Sequence, residues 1–562
     1  MVSGPPVRDG ERLAGRSLLA ALPAAAAPAL VGLVALGLAR SVLLPGQGFW
    51  DTGEFQVVAP VLGTAHPTGY PSYVILGWLA SLAFGPTGEP AFRVNLLSAA
   101  LVAVAAGLLV VLVRGLTGRT SVAIAAGLLF ALTPIPWQMS AFADPHTFHV
   151  ALVAGLAVVL AAWERRRRAG DPGADRWLVA AAALYGVMLG NHSLTILLAP
   201  GVALFVLAVE PGIVRRWRFV GRCAAALLGT AALLYLELPI RAAMGAPLVY
   251  GRPDTWDGFW YVVLAQQFRG DLVDPFGDLG RKLADLAGLA AAQLGVLAPL
   301  VPAAFVVVAA RRPRFALLSA TWLIVTCWFA AAYVNAAIDR YYLGPILVAV
   351  AWLGIAAGIV ADGVARAAPA VAGWLGLGAP AVVGGPAAAA RARRVGGVLA
   401  VALAVALVVP AAVAAPATRG RIDRSTDTGA AAWSAWALRS TAPGAVIVSW
   451  WSFSTPLWYR TIVLGERPDV RIVDDRTRLD ESLGSVDDVI RANLAERPVY
   501  LIRLPGDIAA LAATWVLAEV PDPLGLQSIF RVVGPRPAAG RRRPGPRAAS
   551  AIVPARIATM SP

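Results

Sequence analysis

Two carboxylates and a histidine share one short stretch, WDTGEFQVVAPVLGTAHPTGYP, over residues 50–71. Asp51 and Glu54 are three positions apart, and His66 follows in the same segment. Carboxylates and imidazoles are the side chains that most often move protons in catalysis. If 51–58 is helical, both acids share a face. Glu54 could then orient Asp51, bind an acceptor or raise the Asp51 pKa by like-charge repulsion; the plainer alternative is that it caps or solvates a loop helix. The stretch directly follows the first long apolar run, and ionisable groups beside hydrocarbon are costly, which favours a functional reason for them.

The elements that must position these groups are membrane spans. Of 562 residues, 58% are hydrophobic and only 14% charged, against about a quarter charged in soluble proteins. The net charge of +15 comes almost wholly from arginine, with Lys282 the single lysine. Because the arginines lie in short loops between apolar runs, they point to membrane orientation and not to nucleic acid. Cys223 and Cys327 fall in apolar runs and indicate neither a disulfide nor a zinc site. A crossing helix needs about 20 apolar residues. About eleven such spans are expected, near 18–40, 94–113, 120–136, 147–163, 177–190, 193–209, 223–240, 287–309, 315–334, 342–362 and 396–415. The run 72–84 is too short to cross and reads as an interfacial helix. The N-terminal arginines Arg8, Arg12 and Arg16 precede what reads as a retained first span.

Alternate loops carry the arginines: Arg114 and Arg119, Arg165 to Arg168, Arg215 to Arg222, Arg311 to Arg314, and Arg391 to Arg394. The positive-inside rule makes these loops and the N-terminus cytoplasmic in a cell membrane. The opposite, outer side then collects 41–93, 137–146, 191–192, 241–286, 335–341 and everything after 416. It holds all four histidines, His66, His146, His149 and His192, with Asp51, Glu54, Asp144, Arg241, Asp339 and Arg340. Such clustering on one face is a stronger sign of a site than any single residue. The expected organisation is a transmembrane domain over 1–415 with a large first outer loop, 41–93, then an extracytoplasmic α/β domain over 416–535 and a disordered tail over 536–562. In the α/β domain, strands are expected at 444–449, 470–474, 498–504 and 526–533, and helices at 455–465, 485–496 and 507–516. Its aromatic residues Trp450, Trp451, Phe453, Trp458 and Tyr459 read as packing groups. The cytoplasmic loop 363–395 is rich in Ala, Gly and Pro and shows no chemistry. No Gly-rich nucleotide loop stands in strand-to-helix context.

The run DTGEFQVVAPVLGTAHPTGYPSYVILGWLASL (51–82), followed by FRVNLLSA (92–99), resembles the first loop of the transmembrane-260-type protein O-mannosyltransferase family, whose bacterial members form a former domain-of-unknown-function group. Further similarity lies in GNHSL (190–194), LPIRA (238–242), WDGF (256–259), NAAIDRYYL (335–343), TPLWY (455–459) and RPDV (467–470). Two departures stand out. Thr68 replaces the second proline of the family's H-P-P-G, and ADPHTFH (143–149) puts Asp144 where a glutamate is usual.

The resemblance implies a GT-C glycosyltransferase fold. It implies transfer of a sugar, mannose on the family's pattern, from a polyprenyl-phosphate carrier to an extracytoplasmic acceptor such as Ser or Thr of protein. On that reading Asp51 is the base of an inverting displacement and Glu54 its helper. Arg241 and Arg340 are the cations for the leaving phosphate, since arginine binds phosphate oxygens in bidentate fashion. His66, Asp144, His146 and His192 are substrate-binding or loop-fixing groups. The ligand types of Asp144, His146 and His149, with His66 or His192, suit a metal, but their spacing matches no metal signature, so no cofactor is assigned. The expected partners are the lipid-linked donor, an exported protein or glycan acceptor, and membrane lipid, without nucleic acid. Two other classes stay open: a transporter or flippase of lipid-linked sugars, and a transferase with a glycan or lipid acceptor. A transporter would carry its ionisable groups near the midplane, in broken helices of related repeats.

Overall fold

The computed structural model describes residues 25–335, 337–374 and 386–537. The N-terminal arginines and all but the first two residues of the expected disordered tail lie outside them. In chain order the helices are α1 (Ala26–Arg40), α2 (Trp50–Val61), α3 (Pro71–Ala83), α4 (Pro90–Thr117), α5 (Thr120–Leu132), α6 (Pro134–Met139), α7 (Pro145–Arg168), α8 (Ala174–Asn191) and α9 (Ala199–Val209). They continue with α10 (Trp217–Tyr235), α11 (Glu237–Ala243), α12 (Trp256–Val263), α13 (Leu279–Leu294), α14 (Leu300–Arg311), α15 (Pro313–Ala332), α16 (Leu343–Trp374) and α17 (Pro386–Ile422).

The chain is a multi-pass helical membrane protein. Among the described residues, six helices are long and apolar enough to cross a membrane, or seven if the bent pair α13–α14 counts as one, against about eleven read from the sequence. Four shorter apolar helices accompany them, α3 at the place of the expected interfacial helix among them. The expected span 287–309 is not one straight rod: its two halves meet at 81°. Gly295 adopts φ +54° at the break, and Pro299 precedes α14, so the chain has both a left-handed residue and a helix-stopping one there. Helix also fills much of the expected cytoplasmic loop 363–395, and α17 runs past residue 415 to Ile422.

α4 forms the centre of the bundle, with α1, α5 and α7 packed around it. Its small side chains, Ala99, Ala103, Ala105, Ala106 and Gly107, let neighbouring backbones approach, as helix packing in lipid requires. α10 and α17 bury little of their length, as helices facing lipid would. Local signals set the ends nearest the outer loops. Pro90 and Pro145 stand at the first turns of α4 and α7, where a missing N–H costs nothing. Asp144 caps α7 by accepting the His146 backbone N–H at 2.7 Å. Arg165 to Arg168 in the last turn complement the helix dipole.

Beyond α17 lie α18 (Gly429–Ser440), β1 (Val446–Ser449), α19 (Trp451–Trp458), β2 (Arg471–Val473), α20 (Asp475–Asp480), α21 (Val486–Asn493), β3 (Val499–Ile502), α22 (Pro505–Leu511), β4 (Trp515–Val520) and β5 (Ile529–Pro535). The sheet order is β2-β1-β3-β5-β4. β1 runs parallel to β2 and β3, while β5 is antiparallel to β3 and β4. β4 falls partly where the sequence suggested a helix over 507–516. α22 stops at Leu511, and 515–520 instead pairs edge to edge with β5, burying Trp515. One face of the sheet packs Val446, Val448 and Leu501 against Val489 and Ile490 of α21. The other packs Ile447 and Tyr500 with Trp433, Leu457, Trp458 and Tyr459, and this core takes in Val57 of α2 and Ala91 of α4. The Tyr459 hydroxyl accepts the Ala91 backbone N–H at 3.0 Å. The aromatic run thus mostly packs, as its spacing suggested, and the tail is seated directly on α2 and the start of α4.

Gly53 marks a close approach of the two parts. A Cβ built there would lie 2.5 Å from the Gly48 carbonyl oxygen and 2.6 Å from Thr455 Oγ1. Gly53→Ala is therefore expected to cost about 1–3 kcal/mol through overpacking. Gly37→Ala, with open space around it, is expected to cost nothing. Thermal unfolding of the two purified variants checks this; equal melting temperatures would contradict the close seating of α19 on α2.

Candidate active site

The site is assembled from three regions. α2 brings Asp51 and Glu54, the turn before α7 brings Asp144, and the short 3-10 turn Ile338–Tyr342 brings Arg340. Arg340 Nη2 lies 2.8 Å from Asp51 Oδ2, and Nη1 lies 3.4 Å from Asp144 Oδ2. The neighbouring Asp339 is not among the carboxylates that Arg340 pairs with. The side chains of Arg340 and Asp144 are almost entirely covered, while about a quarter of the Asp51 side chain, 26%, stays accessible. Burial alone would raise the Asp51 pKa, but the Arg340 charge and hydrogen bond, with His66 nearby, outweigh it and hold Asp51 ionised at about 2. The expected like-charge effect of Glu54 is therefore not the one that governs Asp51.

Glu54 has a different occupation. It is 1% exposed. One carboxyl oxygen accepts the His66 backbone N–H at 2.7 Å, and the other bonds His66 Nδ1. His66 Nε2 lies 3.1 Å from the Tyr70 hydroxyl, so both ring nitrogens are spent inside the loop. Burial raises the Glu54 pKa against the pull of His66. Burial opposes protonation of His66, but the charges of Glu54 and Asp51 prevail and raise its pKa. This pair folds the loop 62–70 back onto α2. Thr68 is buried within the same loop.

Arg241 completes that clasp. Its Nε and Nη2 each donate at 3.0 Å to the carbonyls of Leu62 and Val61, at the C-terminal end of α2, where cations are favoured. It sits apart from Arg340 in this network, serving the backbone.

The sequence reading did not single out Asn95 and Ser98, one helical turn apart on α4. Asn95 Nδ2 donates to the carbonyls of Leu44 and Gly46, both at 3.0 Å, and its Oδ1 accepts from Gln56 Nε2 at 2.7 Å and the Ala143 N–H at 2.9 Å. Ser98 Oγ accepts the Asp144 N–H at 3.0 Å. One face of α4 thus fixes both carboxylate-bearing segments. The signal was present: two fully buried polar residues, three apart, at the start of an otherwise apolar span.

His146 and His192 gather beside Arg340, and His149 joins them. His146 Nδ1 lies 2.9 Å from Asp144 Oδ1, its ring is 4.6 Å from that of His192, and Tyr341 stacks on it at 5.1 Å. His192 Nδ1 accepts the Leu194 N–H at 3.0 Å. Among the described residues, no group of three or more His, Cys, Asp or Glu side chains is placed to hold a metal ion. A cavity reaches from Arg340 and His149 to the apolar side chains of Leu194, Leu198, Trp322 and Val348. Trp451 of the tail lies 5.9 Å from the His66 ring and 6.0 Å from Tyr250.

Residues 51–211 match the family described as Protein O-mannosyl-transferase TMEM260 N-terminal domain. Over 183 residues the chain is 33% identical to the Protein O-mannosyl-transferase TMEM260 of Mus musculus, covering 32% of this chain and 24% of the mouse protein. The match thus spans about a quarter of that relative's length. Among solved structures, the chain is similar to ArnT from Cupriavidus metallidurans bound to undecaprenyl phosphate, with a TM-score of 0.55 at 16% identity, over 90% of this chain and 97% of that one. It is also similar to the Archaeoglobus fulgidus oligosaccharyltransferase tethered with an acceptor peptide containing the NVT sequon, with a TM-score of 0.51 at 14% identity, over 89% and 73%. The fold is of the GT-C type. The resemblance read from the first outer loop is borne out, and the family match begins at Asp51 itself.

The Glu54–His66 pair makes a chemical prediction. Because the His66 pKa is raised, the ring stays protonated above the ordinary histidine range and gains a nucleophilic neutral nitrogen only at higher pH. Glu54→Gln removes the main charge that raises it. Acylation of His66 by diethylpyrocarbonate, mapped by mass spectrometry, should begin at lower pH in Glu54→Gln than in the wild type. Superimposable pH profiles would contradict the pairing.

Proposed function

We propose, from the match of residues 51–211 to the Protein O-mannosyl-transferase TMEM260 N-terminal domain family, that the protein is a membrane glycosyltransferase. It moves a sugar, mannose on the family's pattern, from a polyprenyl-phosphate carrier to Ser or Thr of an exported protein. The observation that carries this reading is the Asp51–Arg340–Asp144 bridge. A phosphate needs a cation, and an acceptor hydroxyl needs a base that solvent-side groups can reach. Arg340 and Asp51 meet those needs in turn.

Arg340 takes the donor phosphate. Its Nε is buried without a hydrogen-bond partner, which leaves a donor free for a phosphate oxygen. A bound phosphate competes with Asp51 for the guanidinium, and Asp51 becomes more basic as its ion pair weakens. Asp51 then accepts the proton of the acceptor hydroxyl while the oxygen attacks the anomeric carbon from the face opposite the phosphate. The carbon–phosphate-oxygen bond breaks, the configuration inverts, and polyprenyl phosphate leaves with its charge on Arg340. The positive charge that develops on the sugar ring meets one cation and two carboxylates, an environment with negative charge to spare. Glu54 and Arg241 do not touch the reacting atoms in this scheme; they hold the two ends of α2 and its loop. His66 acts with Glu54.

The arginine-rich loops support a reading with the N-terminus in the cytoplasm of a cell and the site outside its membrane. Residues 423–535 then form an extracytoplasmic α/β domain that roofs the first outer loop. The ionisable groups gather at one end of the bundle, which favours an enzyme over a transporter with a midplane site.

The test uses sealed right-side-out membrane vesicles, radiolabelled polyprenyl-phosphate-mannose and an added Ser/Thr peptide. The wild type should label the peptide. Asp51→Asn, correctly inserted, should lose roughly 100- to 10,000-fold of the rate, the usual worth of a general base. Undiminished transfer by Asp51→Asn would remove Asp51 from this role, and carrier movement without transfer would favour the transporter.

A further inference from the structure

Three buried histidines stand near Arg340, and Asn191 adjoins one of them in the chain. His146 and His149 stand one turn apart at the start of α7, and Asn191 and His192 end α8. They are 2%, 7%, 0% and 5% exposed. Three of their polar atoms, His146 Nε2, His149 Nδ1 and Asn191 Oδ1, are buried without a hydrogen bond. Native interiors leave few such atoms, and each is costly, so three in one cluster point to a ligand that supplies the missing bonds.

We infer that His146, His149, Asn191 and His192 form the subsite that reads the hydroxyl groups of the transferred sugar. The hydrogen-bond pattern identifies the ligand class. His146 directs Nδ1 at a carboxylate, so that nitrogen carries the proton and Nε2 presents a lone pair. His192 accepts a backbone N–H at Nδ1, so its Nε2 is a donor. Asn191 gives its Nδ2 to the Pro145 carbonyl at 3.1 Å and keeps Oδ1 as an open acceptor. Acceptors and a donor side by side suit hydroxyl groups, each of which both gives and takes a hydrogen bond. An anion would call for donors alone. Tyr341, stacked on His146 and 5.8 Å from the His192 ring, holds the two imidazoles in place. Asp144 bonds both His146 and Arg340, which puts this subsite next to the guanidinium assigned to the phosphate. The inference rests on the donor assignment above and extends it to the residues that recognise the sugar itself.

The test measures binding of two lipids to the full-length protein in nanodiscs: polyprenyl-phosphate-mannose and sugar-free polyprenyl phosphate. His149→Leu removes one open polar atom, and His192→Asn keeps a side-chain acceptor for the Leu194 N–H while removing the ring donor. Both variants should bind the sugar-bearing lipid at least about tenfold more weakly and sugar-free polyprenyl phosphate as the wild type does. Retained binding of the bare lipid also shows that the variants are folded. Unchanged affinity for the sugar-bearing lipid, equal loss for both lipids, or a wild type that binds the two equally would each overturn the subsite. A wild type that binds neither lipid would instead contradict the donor assignment, and the subsite with it.

Discussion

The Arg340 guanidinium, shared between Asp51 and Asp144, joins α2, the start of α7 and the turn before α16 through one largely covered charge. Removing a partner from such an arrangement leaves a buried charge uncompensated, at a cost of about 3–5 kcal/mol. The rest of the outer end can be understood as the means of keeping these three groups in register. Asn95 and Ser98 hold the backbone on either side of both carboxylates. The Glu54–His66 pair and Arg241 close the loop that follows α2. Gly53 lets the tail sit close enough to cover the beginning of that helix.

This division of labour separates residues of like chemistry. Asp51 and Glu54 are both acids on one short helix, but only Asp51 keeps an accessible edge; both oxygens of Glu54 are turned inward on His66. Arg241 and Arg340 are both outer arginines, but Arg241 spends two donors on backbone carbonyls, whereas Arg340 meets two carboxylates and has Nε without a partner. Burial and hydrogen-bond direction, rather than residue type, set these roles.

Much of this was legible in the chain. Charge patterning put the histidines, acids and outer arginines on one side, and the D-x-G-E-F segment with its following H-P singled out α2 and its loop. Asp144, His146 and His192 were found because ionisable groups stand out against apolar sequence. The distinctions between Asp51 and Glu54, or between Arg241 and Arg340, were not legible, because they depend on which neighbours arrive from distant parts of the chain. The same holds for β4: its pairing with β5 is a tertiary contact that overrides the helical appearance of 507–516. The bend between α13 and α14 was visible in Gly295 and Pro299, but the apolar composition masked it. Asn95 was passed over because one amide in an apolar span reads as tolerated, and only its four hydrogen bonds reveal it as the post to which both acidic segments are tied.

The claim on which the whole account depends is that a lipid-linked sugar binds with its phosphate on Arg340 and its anomeric carbon facing Asp51. A structure determined with a non-hydrolysable polyprenyl-phosphate-sugar analogue reads this directly. The account predicts the phosphate within hydrogen-bonding distance of the Arg340 guanidinium and the Asp51 carboxylate on the side of the anomeric carbon opposite the phosphate. A phosphate bound away from Arg340, or an anomeric carbon turned away from Asp51, would contradict it.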